Sequence, residues 1–155
     1  EQAARRDCPS PHPAVVIDLD TRQGPFDPDR QVSPPPGVAQ GLARLRGADV
    51  VILWISGLPA ARAAKVAQAL RGSGLDPQGQ DQLLLVRGAD DRKQLLREDA
   101  NRDVCVVAIA GDRRGDFDEL FDYLRNPDAA AGLDAMMGKG WFLVPPLDGS
   151  GASEK

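Results

Sequence analysis

The sequence has few of the residues that typify thiolate-metal, nucleic-acid or membrane proteins. It contains one histidine, His12, and two cysteines, Cys8 and Cys105, whose wide separation does not match the spacing of a zinc site. Aromatic residues make up 5% of the chain and the formal net charge is -4, so no nucleic-acid platform is expected. No apolar run approaches the roughly 18 residues that a membrane helix needs, and no membrane span is expected.

The two cysteines and the first residue leave the compartment open. Cys8 lies in a polar leader and Cys105 in an apolar run, where a buried free thiol is favoured over a Cys8–Cys105 disulfide. The chain begins at Glu1 without a methionine. Export to the periplasm with cleavage of a signal peptide accounts for that start, and a cytoplasmic protein is the alternative. His12 belongs to the same leader and is expected to be solvated.

What the sequence does contain predicts one α/β domain. Its 155 residues, with a hydrophobic fraction of 42%, suffice for one ordinary core. Near-continuous apolar runs of strand length alternate with segments of helical spacing, which is typical of a covered parallel sheet. We therefore expect a three-layer, doubly wound, Rossmann-like sheet of about five parallel strands with helices on both faces. The predicted strands are 14–17, 50–55, 83–86, 104–110 and 141–144, and the predicted helices are 38–46, 59–71, 92–100, 117–124 and 129–137.

The segments outside this alternation are expected to be linkers. Residues 1–13 form a polar, proline-bearing leader, residues 14–146 the domain, and residues 147–155 a flexible Gly/Ser-rich tail. The connections between the strands are too short to hold a second folded domain over the strand ends. Any site at the strand ends is therefore expected to be open.

Polar residues follow four of the predicted strands, at the edge where doubly wound sheets bind their ligands. Clustered carboxylates resist ionisation unless a cation compensates their charge. A ligand set made of oxygen atoms, without a nearby Cys or His, favours Mg²⁺ over zinc. The residues that follow these strands are Asp18, Asp20, Ser56, Gly57, Lys93, Asp112 and Asp116.

The segments that hold these residues resemble the four motifs of the haloacid dehalogenase-like superfamily. VVIDLD matches the DxD motif, WISG the Ser/Thr motif, Lys93 the Lys motif, and GDRRGD the GDxxxD acidic motif. The resemblance covers residues 14–146. Within that superfamily, the sequence is most similar to the bacterial acid phosphatase branch, through PPPGV, GDRRGDF and GWFLVPPL. It implies a Mg²⁺-dependent phosphomonoester hydrolase that acts on a phosphorylated substrate of unknown identity.

The resemblance also implies a role for each carboxylate. Asp18 would be the nucleophile that forms an aspartyl-phosphate and would also be a metal ligand. Asp20 would protonate the leaving oxygen and later activate water, and its backbone carbonyl would bind the metal. Asp112 would complete the metal site, and Asp116 would support it.

The remaining motif residues would bind the phosphoryl group. Ser56 and Gly57 would donate hydrogen bonds to it, and Lys93 would neutralise its charge together with that of the nucleophile. Two features depart from the family pattern. The Thr21–Arg22 pair after the DxD motif is unusual and is expected to reshape the entrance. Arg92 is adjacent to Lys93, so the lysine assignment could shift by one residue, and Lys65 on the preceding helix is a weaker rival.

Other functions remain as alternatives. A catalytically silent relative that acts as a binding or scaffold protein would have the same fold, with turnover lowered or abolished by the Thr21–Arg22 loop. A phosphate-accepting receiver domain also combines Asp, Ser/Thr and Lys, but it places its phosphoacceptor after the third strand. Dehalogenation is disfavoured because dehalogenases generally lack an equivalent of Asp20. A homo-oligomer, in which a neighbouring subunit acts as a lid, is also left open.

Overall fold

A computed structural model describes residues 8, 10–119, 122 and 136–150 of the chain. The described strands form one parallel sheet in the order β3-β2-β1-β4-β5. The predicted doubly wound α/β fold is thereby confirmed. The strands are β1 (Pro13–Asp18), β2 (Val51–Pro59), β3 (Gln82–Val86), β4 (Cys105–Gly111) and β5 (Trp141–Leu143), and the helices are α1 (Val38–Gly47), α2 (Ala63–Gly72) and α3 (Lys93–Asp103).

The order of the strands fixes where a ligand can bind. The chain proceeds from β1 through β2 to β3 on one side, and β4 and β5 then lie on the other side of β1. The winding therefore reverses between β1 and β4. In open α/β sheets, the crevice at such a reversal is the binding site, beyond the carboxyl ends of the strands. Asp18 and Gly111 are the last residues of the two strands that border it.

Apolar side chains bury both faces of the sheet. On one face, Trp54 of β2 belongs to a core cluster with Leu42 of α1 and Leu70 of α2. On the other face, Leu53 of β2 packs with Leu96 of α3. Successive residues of a strand point to opposite faces, which is why the apolar run of β2 is continuous rather than alternating. Each fully buried aliphatic side chain contributes about 1.5–3 kcal/mol.

β2 is longer than its apolar run predicts. It continues past Ile55 to Pro59, where it pairs with Val86 after an irregularity in the register. Ser56 and Gly57 therefore lie within the strand rather than after it. Pro59 has extended backbone angles, φ -69° and ψ 151°, so it ends the strand and does not begin the predicted helix. A 3₁₀ turn over Ala60–Arg62 precedes α2.

The two predicted helices after β4 are only partly testable. A 3₁₀ turn forms over Arg114–Asp116, and residues 117–119 are not helical, so the predicted helix does not begin at Phe117. Residues 120, 121 and 123–135 lie outside the described part of the chain. The predicted end of the helix over 129–137 is wrong, because Met137 forms a bridge with Trp141 and Gly138 has a φ of 76°.

Both ends of the described chain are attached more firmly than the sequence predicts. Cys8 and Cys105 form a disulfide with a Cα–Cα distance of 5.2 Å, which corrects the expectation of free thiols. His12 lies beside β4, where its carbonyl accepts a hydrogen bond from the Cys105 N–H at 2.7 Å. Leu147 is buried and belongs to the core, so packed structure continues beyond the predicted domain end at residue 146. No helix among the described residues is long and apolar enough to cross a membrane.

Candidate active site

The Lys93 ammonium lies among three carboxylates at the carboxyl edge of the sheet. Its Nζ is 2.9 Å from Asp18 Oδ2, 3.3 Å from Asp20 Oδ2 and 3.5 Å from Asp116 Oδ1. Lys93 is the first residue of α3, so the turn after β3 brings it over the ends of β1 and β4. The side chain of Lys93 thus brings together four predicted site residues, itself and three aspartates.

The rivals of Lys93 lie elsewhere. Arg92 pairs with Glu119 at 3.0 Å, and Lys65 pairs with Asp29 at 3.2 Å on the surface. The side chain of Lys65 is 60% exposed, whereas that of Lys93 is 16% exposed. The placement therefore favours Lys93 as the lysine of the site.

Asp18 is buried, and each of its carboxylate oxygens accepts a hydrogen bond. Its Oδ1 accepts the backbone N–H of Asp20 at 2.9 Å, and its Oδ2 accepts a hydrogen bond from Lys93. Burial raises the pKa of Asp18 to about 7; Lys93 opposes this rise, and the charges of Asp116 and Asp20 add to it. One lysine is thus insufficient to keep all these carboxylates ionised near neutral pH.

Asp20 accepts more hydrogen bonds than Asp18. Its Oδ1 accepts the Ser56 hydroxyl at 2.6 Å and the Phe26 N–H at 2.9 Å, and its Oδ2 accepts the Gly57 N–H at 2.8 Å. Burial acts to raise the pKa of Asp20, but Lys93 and these three donors outweigh it and hold the pKa below its ordinary value. Asp20 is therefore ionised in this state, and the two donors predicted for a phosphoryl group are directed to it.

Asp116 organises the acidic loop after β4. Its Oδ2 accepts the backbone N–H groups of Asp112 at 3.1 Å and Arg113 at 3.2 Å, and the side chain is fully buried. A Cβ on Gly111 would lie 2.6 Å from the Cβ and Oδ2 of Asp116, so only glycine fits at the end of β4. Asp116 thus holds the backbone of the acidic loop, and its supporting role in a metal site stays a prediction.

Asp112 is held by the Thr21–Arg22 loop. The Arg22 N–H donates to Asp112 Oδ2 at 2.9 Å, and Arg22 Nε donates to the Asp112 carbonyl at 3.0 Å. Mutual backbone hydrogen bonds between Thr21 and Gly24 close the loop, with Gly24 at a φ of 141°. The loop that departs from the family pattern thus joins the acidic segments after β1 and β4.

The donor chemistry of the site fits a divalent cation. Asp112 Oδ1 is buried and has no hydrogen-bond partner, and burial raises the pKa of Asp112, as it does that of Asp18. The unpartnered Oδ1 leaves one buried carboxylate oxygen of the site for a cation to bind. Within the described ranges, no group of three or more His, Cys, Asp or Glu side chains is arranged to hold a metal. The expected ligand set is smaller, because Asp20 would contribute its backbone carbonyl.

Two further groups act on the carboxylates of the site and could not be identified from the sequence. The Phe26 N–H holds Asp20, and a backbone contact of that kind leaves no trace in residue type. Arg97 is buried, and its Nε and Nη1 have no hydrogen-bond partner. Burial lowers its pKa, while the charges of Asp18 and Asp116 raise it. Its spacing of one helical turn from Lys93 is the signal that would have placed it on the same face of α3.

The raised pKa of Asp18 predicts a pH dependence of stability in the absence of metal. The native carboxyl retains its proton up to about pH 7, whereas the ordinary aspartate value is 3.8. The native state then binds more protons than the unfolded state between these values, so its free energy of unfolding falls as pH rises from about 4 to 7. Asp18→Asn lacks this contribution. Urea denaturation of both proteins in EDTA checks it, and an excess stability of wild type that grows with pH would contradict it.

Comparison with known proteins supports the fold at low sequence identity. No protein-family model and no curated protein sequence matches the chain. The structure of the class C acid phosphatase from Bacillus anthracis matches with a TM-score of 0.64 and 19% identity over 86% of this chain. The same enzyme with tungstate bound matches with a TM-score of 0.63 and 19% identity over 86%. The chain spans 66% of the length of each. It therefore has the fold of the class C acid phosphatases, which is the fold that its resemblance to the haloacid dehalogenase-like superfamily implies.

Proposed function

We propose that the chain is a Mg²⁺-dependent phosphomonoester hydrolase that acts through an aspartyl-phosphate on Asp18. The observation that carries this proposal is the contact of one buried lysine, Lys93, with both Asp18 and Asp20 at the reversal point of the sheet. A carboxylate nucleophile, a second carboxylate for proton transfer and a cation for the phosphoryl oxygens are the groups that the reaction requires. The fold of an acid phosphatase supports the same conclusion.

The first step transfers the phosphoryl group to the protein. An Asp18 carboxylate oxygen attacks phosphorus, the bond from phosphorus to the leaving oxygen breaks, and the Asp20 carboxyl gives its proton to that oxygen. In the second step Asp20, now a carboxylate, takes a proton from water, and the water oxygen attacks phosphorus. Inorganic phosphate leaves and the Asp18 carboxylate is restored.

The first step requires Asp20 to hold a proton, although its pKa is low in this state. Lys93 is the largest of the contributions that lower this pKa. A bound phosphate dianion attracts the ammonium and weakens its effect on Asp20, so substrate binding raises the pKa of Asp20. Protonation of Asp20 also weakens its hydrogen bonds with the Ser56 hydroxyl and the Gly57 N–H, so that both donors become available to the phosphoryl oxygens.

The chain provides candidate ligands for Mg²⁺ beside the nucleophile. The carboxylates of Asp18 and Asp112 and the backbone carbonyl of Asp20 would hold it. When bound, the ion would neutralise charge on the phosphoryl oxygens and on Asp18. Arg22 would keep Asp112 in place through its two hydrogen bonds, since carboxylates that bind metals depend on such supporting contacts.

The role of Asp20 is tested by the leaving group. In Asp20→Asn, kcat/KM for propyl phosphate should fall on the order of 10³-fold, because the alkoxide needs a proton to leave. For 4-nitrophenyl phosphate the loss of kcat/KM should be at most about tenfold, since this phenolate leaves without help. Steady-state kinetics with saturating Mg²⁺ measure both values. Equal losses for the two substrates would remove Asp20 from proton transfer, and a wild type inactive on all phosphomonoesters would favour the silent relative.

We also propose that the protein works in an oxidising compartment, such as the periplasm. The support is the Cys8–Cys105 disulfide, since such bonds persist outside the reducing cytoplasm and are rare within it. Protein isolated from its own host, unfolded in iodoacetamide without prior reduction, should carry no carbamidomethyl label on Cys8 or Cys105 in mass spectrometry. Two labels per chain would contradict this proposal.

A further inference from the structure

A cavity of about 800 Å³ opens beside the carboxylate cluster. Its walls come from residues 21–23, 33–36 and 143–146, and it is also lined by Asp112 and Ser150. The first of these segments directly follows Asp20, and Asp112 belongs to the acidic loop. The cavity is therefore continuous with the proposed site and lies outside the contacts that bind the phosphoryl group.

The walls combine rigid apolar surface with a planar cation. Three consecutive prolines come from residues 34–36 and two more from residues 145–146, and Leu143 and Val144 complete the apolar part. Arg22 adds a guanidinium that is fixed at Nε by the Asp112 carbonyl. Proline rings offer flat apolar faces, and a guanidinium plane stacks on aromatic rings.

The position of the cavity indicates that it faces the leaving group of the substrate. Asp20 gives its proton to the leaving oxygen, and the next two residues, Thr21 and Arg22, form part of the cavity wall. The group attached to that oxygen therefore faces the cavity, whereas the phosphoryl group faces Lys93. Apolar walls with a few polar groups are typical of small-molecule sites.

We propose that this cavity binds an aromatic leaving group, so that the preferred substrates are aryl phosphomonoesters and Leu143 is a specificity-determining residue. The proposal rests on the proposed function, because it assigns the leaving-group side of that site. Leu143 is 48% exposed, so a ligand in the cavity can cover it. It belongs to none of the catalytic or metal-binding contacts.

The test compares Leu143→Ala with Val107→Ala, a matched control at an exposed apolar residue of β4 that does not line the cavity. For Leu143→Ala, KM for 2-naphthyl phosphate should rise about fivefold, because several methylene groups lose contact with the ring. The kcat/KM for propyl phosphate should stay unchanged, as should both values in Val107→Ala. An equal response of the two variants to 2-naphthyl phosphate would overturn the proposal.

A binding measurement separates failure of this proposal from failure of the proposed function. Fluorescence titration with 2-naphthol, the leaving group alone, requires no turnover. Binding that weakens about fivefold in Leu143→Ala supports the aromatic site, even if wild type hydrolyses no phosphomonoester and the proposed function fails. Absence of 2-naphthol binding by an active wild type would overturn the aromatic site and leave the phosphatase proposal standing.

Discussion

Asp18→Asn should lower kcat for 4-nitrophenyl phosphate on the order of 10⁴-fold at saturating Mg²⁺. An amide cannot act as the nucleophile, and the substitution removes the carboxylate that Lys93 contacts at 2.9 Å. The shape of the side chain is retained, so an amide oxygen can still accept the Asp20 N–H. Steady-state kinetics measure the loss, with circular dichroism as a check that the fold is intact.

Asp29→Asn is the matched control for this prediction. Asp29 is also an ion-paired aspartate, but its side chain is 60% exposed and pairs with Arg62 and Lys65 on the surface. Surface pairs of this kind contribute little to stability, so its kcat should stay within about twofold of wild type. If Asp18→Asn retained roughly a tenth of the wild-type activity, Asp18 would not be the nucleophile.

Loss of the Cys8–Cys105 disulfide should lower the free energy of unfolding by about 4 to 5 kcal/mol. The two cysteines are 97 residues apart, so the bond closes a long loop and removes much of the chain entropy of the unfolded state. Domains of this size are stable by about 5 to 15 kcal/mol, so this loss is a large share of the total stability. Urea denaturation of wild type and Cys8→Ser measures the difference.

The two cysteines provide an internal control for the disulfide prediction. Cys8→Ser, Cys105→Ser and the double variant break the same bond, so their losses should agree within about 0.5 kcal/mol and should not add. Reduction of wild type should reproduce the loss. A loss below about 1 kcal/mol in Cys8→Ser would show that the bond does not constrain the unfolded chain as its loop length predicts.

The sequence predicts the fold well where a strand is marked by its own apolar side chains. β1, β3, β4 and β5 begin and end within one residue of their predicted bounds, because burial on both faces demands continuous apolar runs. The end of β2 is different. Ser56 and Gly57 interrupt its apolar run and Pro59 follows Leu58, so this stretch lacks a strand pattern of its own. Its strand geometry depends on pairing with β3, which no local pattern reveals.

The position of the candidate site could be predicted from the topology of the sheet. Parallel strands bring their carboxyl ends to one edge, so Asp18, Asp20 and Lys93 meet although 75 residues separate the first from the last. The contact of Arg22 with Asp112 depends on the path of a loop closed at Gly24, and local sequence does not specify that path. The disulfide depends likewise on the placement of Cys8 next to β4, which local sequence does not specify either.

The proposed reaction forms an aspartyl-phosphate on Asp18, and trapping that intermediate tests the mechanism most directly. Asp20→Asn lacks the base for the second step, so the aspartyl-phosphate should accumulate when 4-nitrophenyl phosphate is added with Mg²⁺. Acid quenching followed by mass spectrometry of peptides should then show one added phosphoryl group on the peptide that contains Asp18, and none in the Asp18→Asn, Asp20→Asn double variant. Release of 4-nitrophenol without this adduct, or with the phosphoryl group on another residue, would contradict the account.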